Sequence, residues 1–179
     1  MKSAFRKAAI VAVVVAVAFG YVHLGEEQGF ALQEGTEAPP FSLTSLGGDG
    51  VDLASYRGKV VVLNFWTTWC APCVAEMPSL ERLHRALGPE GLAVVTVSTD
   101  EDEDRLREFV EDHELTLPIL LDPGGRTAAA DYRTMVYPAT FVLGRQGVLL
   151  RHYLGPAVWD TPEALAHFRG LLEPDPALQ

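Results

Sequence analysis

Apolar and polar positions alternate along this chain between short runs and helical spacings. Val60-Val61-Val62-Leu63-Asn64-Phe65-Trp66 is β-branched and aromatic almost throughout, the pattern of a central strand buried on both faces. Leu92-Ala93-Val94-Val95-Thr96-Val97-Ser98 predicts a second such strand, and Ile119-Leu120-Leu121 a short one. Ala139-Thr140-Phe141-Val142-Leu143 and Val148-Leu149-Leu150-Arg151-His152-Tyr153 flank Arg145-Gln146-Gly147, a hairpin turn. Upstream, Phe41-Ser42-Leu43 and Val51-Asp52-Leu53 predict two short strands parted by the turn signal Gly47-Gly48-Asp49-Gly50. Helical spacing runs from about Cys70 to Leu87, with Met77, Leu80, Leu83 and Leu87 at threes and fours before Gly88-Pro89 stops it. Residues 102–113 repeat the pattern through Leu106, Phe109 and Val110, and 125–132 also reads as helical. A last helix over 161–172 opens on Thr161-Pro162-Glu163, a capping residue with proline in the first turn. Strands alternating with helices, closed by a late hairpin, predict an α/β fold: a central mixed sheet with helices on both faces.

The N-terminus follows a different rule. Lys2, Arg6 and Lys7 precede the uncharged run from Ala8 to Val22, and Glu26 and Glu27 follow it. Basic before apolar, with acid after, reads as an export signal held basic end inward. Residues 1–24 are expected to form a retained single-span anchor in the cytoplasmic membrane, the domain facing the periplasmic side. Cleavage after the small-residue triplet Ala16-Val17-Ala18, giving a soluble periplasmic protein, is the alternative. Residues 25–36 then form a polar tether, 37–173 the domain, and 174–179, after Pro174-Asp175-Pro176, a disordered tail.

The chain's formal net charge of −10 argues against nucleic acid as a partner, because phosphate backbones are bound by Lys and Arg. The 2 cysteines carry more information. Cys70 and Cys73 would close a loop too short to constrain the unfolded chain much. No cofactor and no metal site are expected: two thiolates do not complete a zinc set, and the 5 histidines show no paired spacing. Chemistry explains the pair better than stability does.

Placement identifies that chemistry. Cys70 directly follows a buried strand and opens a helix. Free N–H groups and a partial positive charge at a helix N-terminus favour thiolate over thiol, and can bring a cysteine pKa from about 8.5 into the range of about 3.5–7.5. Cys70, at the exposed end, is the expected attacker on a substrate disulfide. Cys73, one turn on, is placed to resolve the mixed disulfide. Pro72 lacks only an N–H that the first turn leaves unpaired anyway.

The run Asn64-Phe65-Trp66-Thr67-Thr68-Trp69-Cys70-Ala71-Pro72-Cys73-Val74-Ala75-Glu76-Met77-Pro78 resembles the signature of the TlpA/ResA-like thiol–disulfide oxidoreductases of the thioredoxin superfamily. Pro39-Pro40-Phe41-Ser42-Leu43 and Tyr137-Pro138-Ala139-Thr140-Phe141 extend the likeness over roughly residues 37–173. The resemblance implies a thioredoxin-like fold with an N-terminal β extension and an inserted helix–strand unit. It implies that Cys70 is the nucleophile, Cys73 the resolving cysteine and Pro138 a cis-proline that holds an incoming peptide. It also implies that Glu76 lies close to the thiols. Thioredoxin keeps an aspartate in its central strand to move protons, whereas Asn64 stands at the matching place and cannot titrate. Glu76, three residues after Cys73, is therefore the candidate acid/base; the competing reading is an exposed glutamate stabilising the first turns of the helix. Trp66 reads as core. Trp69 and Tyr137 are candidates for contact with substrate, Tyr137 standing where related proteins often carry a smaller aliphatic residue or threonine. Asp100-Glu101-Asp102-Glu103-Asp104 reads as a helix start that complements the dipole.

Ala71-Pro72 places no charged or histidine side chain between the thiols to stabilise a thiolate further. That favours a reductant, drawing electrons from a membrane thiol donor and reducing disulfides in exported proteins. By resemblance, apocytochrome c and copper-site assembly proteins are plausible clients. The rivals are a Cu(I)-binding metallochaperone using the dithiol, a thiol peroxidase, and a purely structural module.

Overall fold

A computed structural model describes residues 32–173 of the chain. The expected membrane segment 1–24, most of the tether 25–36 and the tail 174–179 lie outside the described residues. Among the described residues no helix is long and apolar enough to cross a membrane.

The buried run folds as predicted: β3, Val60–Trp66, is shielded along its whole length, as is β4, Leu92–Ser98. They pair in parallel, from Val60 opposite Leu92 to Trp66 opposite Ser98. On its other side β3 meets β6, Ala139–Leu143, antiparallel, and β6 carries β7, Leu149–Leu154, as the hairpin predicts. Beyond β4 lie β5, Ile119–Leu121, parallel to it, and then β1, Ser42–Ser45, and β2, Gly50–Asp52. The mixed seven-stranded sheet is ordered β2-β1-β5-β4-β3-β6-β7. The β1–β2 hairpin is the N-terminal extension. The inserted unit is α2 (Glu103–Asp112) with β5, and β5 lies between that hairpin and β4 in the sheet.

Alternation along β3 divides the core in two, because successive side chains point to opposite faces. Val60, Val62 and Trp66 pack with Met77, Leu80, Leu83 and Leu87 of α1 (Ala71–Leu87), with Leu106 of α2, and with Phe168 and Leu172 of α3 (Pro162–Leu172). Val61, Leu63 and Phe65 pack with Phe41, Leu53, Ala128, Tyr132 and Phe141. The three α-helices thus crowd one face, and a π-helical turn, Thr127–Asp131, closes the other. This turn is shorter than the helix predicted over 125–132. The Asp122 carboxylate accepts from the backbone N–H of Thr127 at 3.0 Å and of Ala128 at 2.9 Å, which fixes its start. Tyr132 N–H bonds back to the Thr127 carbonyl at 3.1 Å, which fixes its end.

Candidate active site

β3 delivers the chain to Trp66, and after three residues, Thr67, Thr68 and Trp69, Cys70 caps α1. Cys70 is the N-cap of α1, with extended backbone (φ −92°, ψ 98°) and its Sγ accepting from the Cys73 N–H at 3.3 Å. A thiolate at this position would meet a donor already in place. The two sulfurs are joined in a disulfide, with Cα atoms 5.2 Å apart. Their surroundings differ. Cys70 keeps 9% of its surface exposed, less open than the sequence suggests, whereas Cys73 is fully buried.

Across from Cys70 lies the loop into β6. The Tyr137–Pro138 peptide is cis, and the Tyr137 carbonyl oxygen stands 3.7 Å from Cys70 Sγ. In the disulfide this sulfur has no proton to give, so the approach is a contact rather than a hydrogen bond. The Pro138 carbonyl accepts from Gly155 N–H at 2.8 Å, which ties the loop to the end of β7. Trp69 is 67% exposed beside the pair. Between Trp69 and Tyr137 opens a cavity of about 390 Å³, lined also by Thr99, Glu101, Asp102 and Arg105. Gly125, at φ +67°, leaves room for the tyrosine: a Cβ there would fall 2.8 Å from Tyr137 Oη.

Glu76 is not on the surface. It is 2% exposed, so the reading of a solvated helix glutamate fails. Its Oε1 accepts from Asn64 Nδ2 at 2.8 Å, and its Oε2 accepts from Ala157 N–H at 3.0 Å and Trp159 Nε1–H at 3.2 Å. Burial raises its pKa above the ordinary carboxylate value, and these three donors partly oppose the rise. The carboxyl thus sits on the same first turns of α1 as Cys73 and holds its proton more tightly than a solvated carboxylate does. Ala157 and Trp159 were not predicted. A tryptophan in the β7–α3 loop is a visible signal, but its partner lies 83 residues upstream. Trp159→Phe deletes one donor while keeping the ring. It should raise the Glu76 pKa further and cost about 1 kcal/mol of stability, read by carboxyl NMR titration and urea unfolding.

Asp100 requires a correction. Asp102 does cap α2, accepting from Arg105 N–H at 3.0 Å, and Glu103 and Asp104 fill the first turn. Asp100 instead turns inward. Its carboxylate accepts from Thr67 Oγ1 at 2.8 Å, Thr68 Oγ1 at 2.7 Å, Thr68 N–H at 2.9 Å and Ser98 Oγ at 2.7 Å. It binds the end of β4 to the three-residue approach to Cys70. Asp100→Ala would leave these donors unmatched. It should destabilise the fold by about 2–3 kcal/mol and slow reaction at Cys70, measured by urea unfolding and by disulfide reduction assays.

A pair of cysteines that can be oxidised to a disulfide, one partly open and one sealed a helical turn before a buried carboxyl, can exchange disulfides with a partner. Comparison with known proteins agrees. Residues 35–152 match the model of the AhpC/TSA family. The chain is 43% identical over 127 residues to the thioredoxin-like protein YneN of Bacillus subtilis, covering 69% of this chain and 73% of that one. It is 30% identical over 165 residues to the thiol-disulfide oxidoreductase ResA of Halalkalibacterium halodurans, covering 90% and 91%. A solved structure from Chlorobium tepidum, assigned as a thiol:disulfide interchange protein DsbE, superposes with a TM-score of 0.73 at 27% identity, covering 80% of this chain and 100% of that one. The chain belongs to the AhpC/TSA family of thioredoxin-like proteins and is a thiol–disulfide oxidoreductase of the ResA type.

Proposed function

We propose that this oxidoreductase reduces disulfides of exported proteins on the extracytoplasmic side of the membrane, held there by residues 1–24. A membrane dithiol donor reduces the Cys70–Cys73 bond and leaves as a disulfide. Cys70, as thiolate, attacks a sulfur of the client disulfide and forms a mixed disulfide, expelling the client's other sulfur as a thiolate that takes a proton from solvent. Glu76 takes the proton of Cys73. The Cys73 thiolate then attacks Cys70, restores the Cys70–Cys73 bond and releases the reduced client.

The observation that carries this assignment is the unequal burial of the two sulfurs, with the raised-pKa carboxyl on the sealed side. Support for a polypeptide client comes from the surface around the pair. Trp69, Met135, Val136, Leu154 and Val158 are exposed large hydrophobic side chains: Trp69 precedes Cys70, Met135 and Val136 precede Tyr137, Leu154 ends β7, and Val158 lies between Ala157 and Trp159 in the loop that covers Glu76. Exposed apolar surface of this kind marks contact with another chain. Trp69, Tyr137 and Pro138 supply the face on which a client segment lies. The extracytoplasmic location rests on the order basic, apolar, acidic in the first 27 residues. Apocytochrome c and copper-site assembly proteins are the clients to test first.

Full-length Cys73→Ala, expressed in cells, should hold its clients as mixed disulfides that dissolve on reduction, and mass spectrometry should find exported proteins among them. Capture of cytoplasmic proteins alone would refute the location and the client class together. In spheroplasts an impermeant protease should digest the domain, and protection of the domain would refute the orientation.

A further inference from the structure

Buried polar atoms in folded proteins are almost always paired, so an unpaired one asks for a reason. Among the described residues, Asn64 Oδ1 is such an atom, on a side chain with no exposed surface. Its amide nitrogen is fully used. Nδ2 donates to Glu76 Oε1 at 2.8 Å and to Thr140 Oγ1 at 2.9 Å, across the β3–β6 pairing. The carbonyl end is the idle one, and it can only accept.

Its position says what would serve it. Asn64 lies between Val62 and Trp66 on the face of β3 that packs against Cys73 and Met77. In the disulfide, Cys73 Sγ carries no hydrogen. Reduction changes that: a donor dithiol gives two electrons and its protons, the S–S bond breaks, the donor becomes a disulfide, and Cys73 becomes S–H. The buried face of the pair then holds one new donor, on the side of the sheet that also carries one unserved acceptor.

We propose that Asn64 Oδ1 accepts a hydrogen bond from the Cys73 thiol in the reduced protein, making Asn64 a positioning residue that joins the resolving sulfur to Glu76 through one amide. The amide cannot take the proton. It holds the S–H beside the carboxyl and keeps Cys73 protonated until the mixed disulfide has formed. This deepens the proton role proposed for Glu76, yet the bond itself requires neither that role nor any particular client.

Asn64 is the only asparagine in the chain, so asparagine-selective labelling reports on this side chain alone. In the full-length protein, the Asn64 13Cγ resonance should move downfield when dithiothreitol reduces the pair. In Cys73→Ala under the same conditions it should stay near its position in the oxidised wild type. The infrared S–H band of Cys73, read in Cys70→Ser, should rise in frequency when Asn64→Leu is added. A 13Cγ resonance unchanged by reduction, or one that moves equally in Cys73→Ala, overturns the proposal. An S–H band indifferent to Asn64→Leu does so too. The 13Cγ measurement needs no substitution at Asn64, and it is read without any client or turnover, so its failure is separable from a failure of Glu76 as the base.

Discussion

Replacing Cys70 with serine should abolish disulfide reduction, by at least about a thousandfold, while the fold persists. The sulfur at the N-cap is the one a partner can reach, and a hydroxyl there is a far weaker nucleophile at neutral pH. Replacing Cys73 should give a different failure. Cys73→Ala leaves the N-cap thiol in place, so the first attack proceeds, but nothing follows to release the client. Stopped-flow measurements against a peptide disulfide separate the two. Cys70→Ser shows no fast phase, and Cys73→Ala shows one stoichiometric phase ending in a stable adduct. Equal behaviour of the two variants would contradict the assigned roles.

Glu76→Gln should slow resolution of the mixed disulfide by about a hundredfold and flatten its pH dependence. In the wild type the carboxylate form is the base, so resolution should quicken as pH rises through the raised pKa of Glu76. Stability runs the other way. The folded chain holds the Glu76 proton more tightly than the unfolded chain, whose carboxyl titrates near 4.5. The contribution is complete below that pH and is lost as pH climbs through the raised folded value. Glu76→Gln cannot titrate, so its stability curve should lack this decline, as urea unfolding at a series of pH values would show. Glutamine fits the site if Asn64 turns its amide over: the Asn64 oxygen then faces the new amide nitrogen. A glutamine variant with wild-type resolution rate and pH profile would remove Glu76 from the mechanism.

Much of this protein can be read from local pattern. The unbroken apolar runs of β3 and β4 require cover on both faces, and the three-and-four spacing from Met77 to Leu87 places α1 against one of them. A cysteine pair between such a strand and such a helix already states the chemistry. The fold and the cis-proline followed from resemblance as much as from pattern. What escaped was everything that depends on where distant loops return. Asp100 looks like its acidic neighbours, and only the approach of Thr67 and Thr68 makes it a buried acceptor. Glu76 could be marked as a candidate because Asn64 left the central strand without a titrating group. Its burial depends on the β7–α3 loop bringing Ala157 and Trp159 over it, and no periodicity encodes that. The π-helical turn likewise depends on Asp122, five residues before Thr127.

The described chain enters and leaves at the same pole. Gly35 and Ala38 donate to the carbonyls of Leu149 and Gly147 beside the β6–β7 turn, and Leu172, at the end of α3, receives Arg145 of that turn at 2.5 Å. Cys70 lies past the opposite end of β3, roughly 20 Å away along a seven-residue strand. A tag, linker or solid support joined at either terminus therefore pulls on the blunt end of the molecule and leaves its working tip free to swing toward whatever approaches.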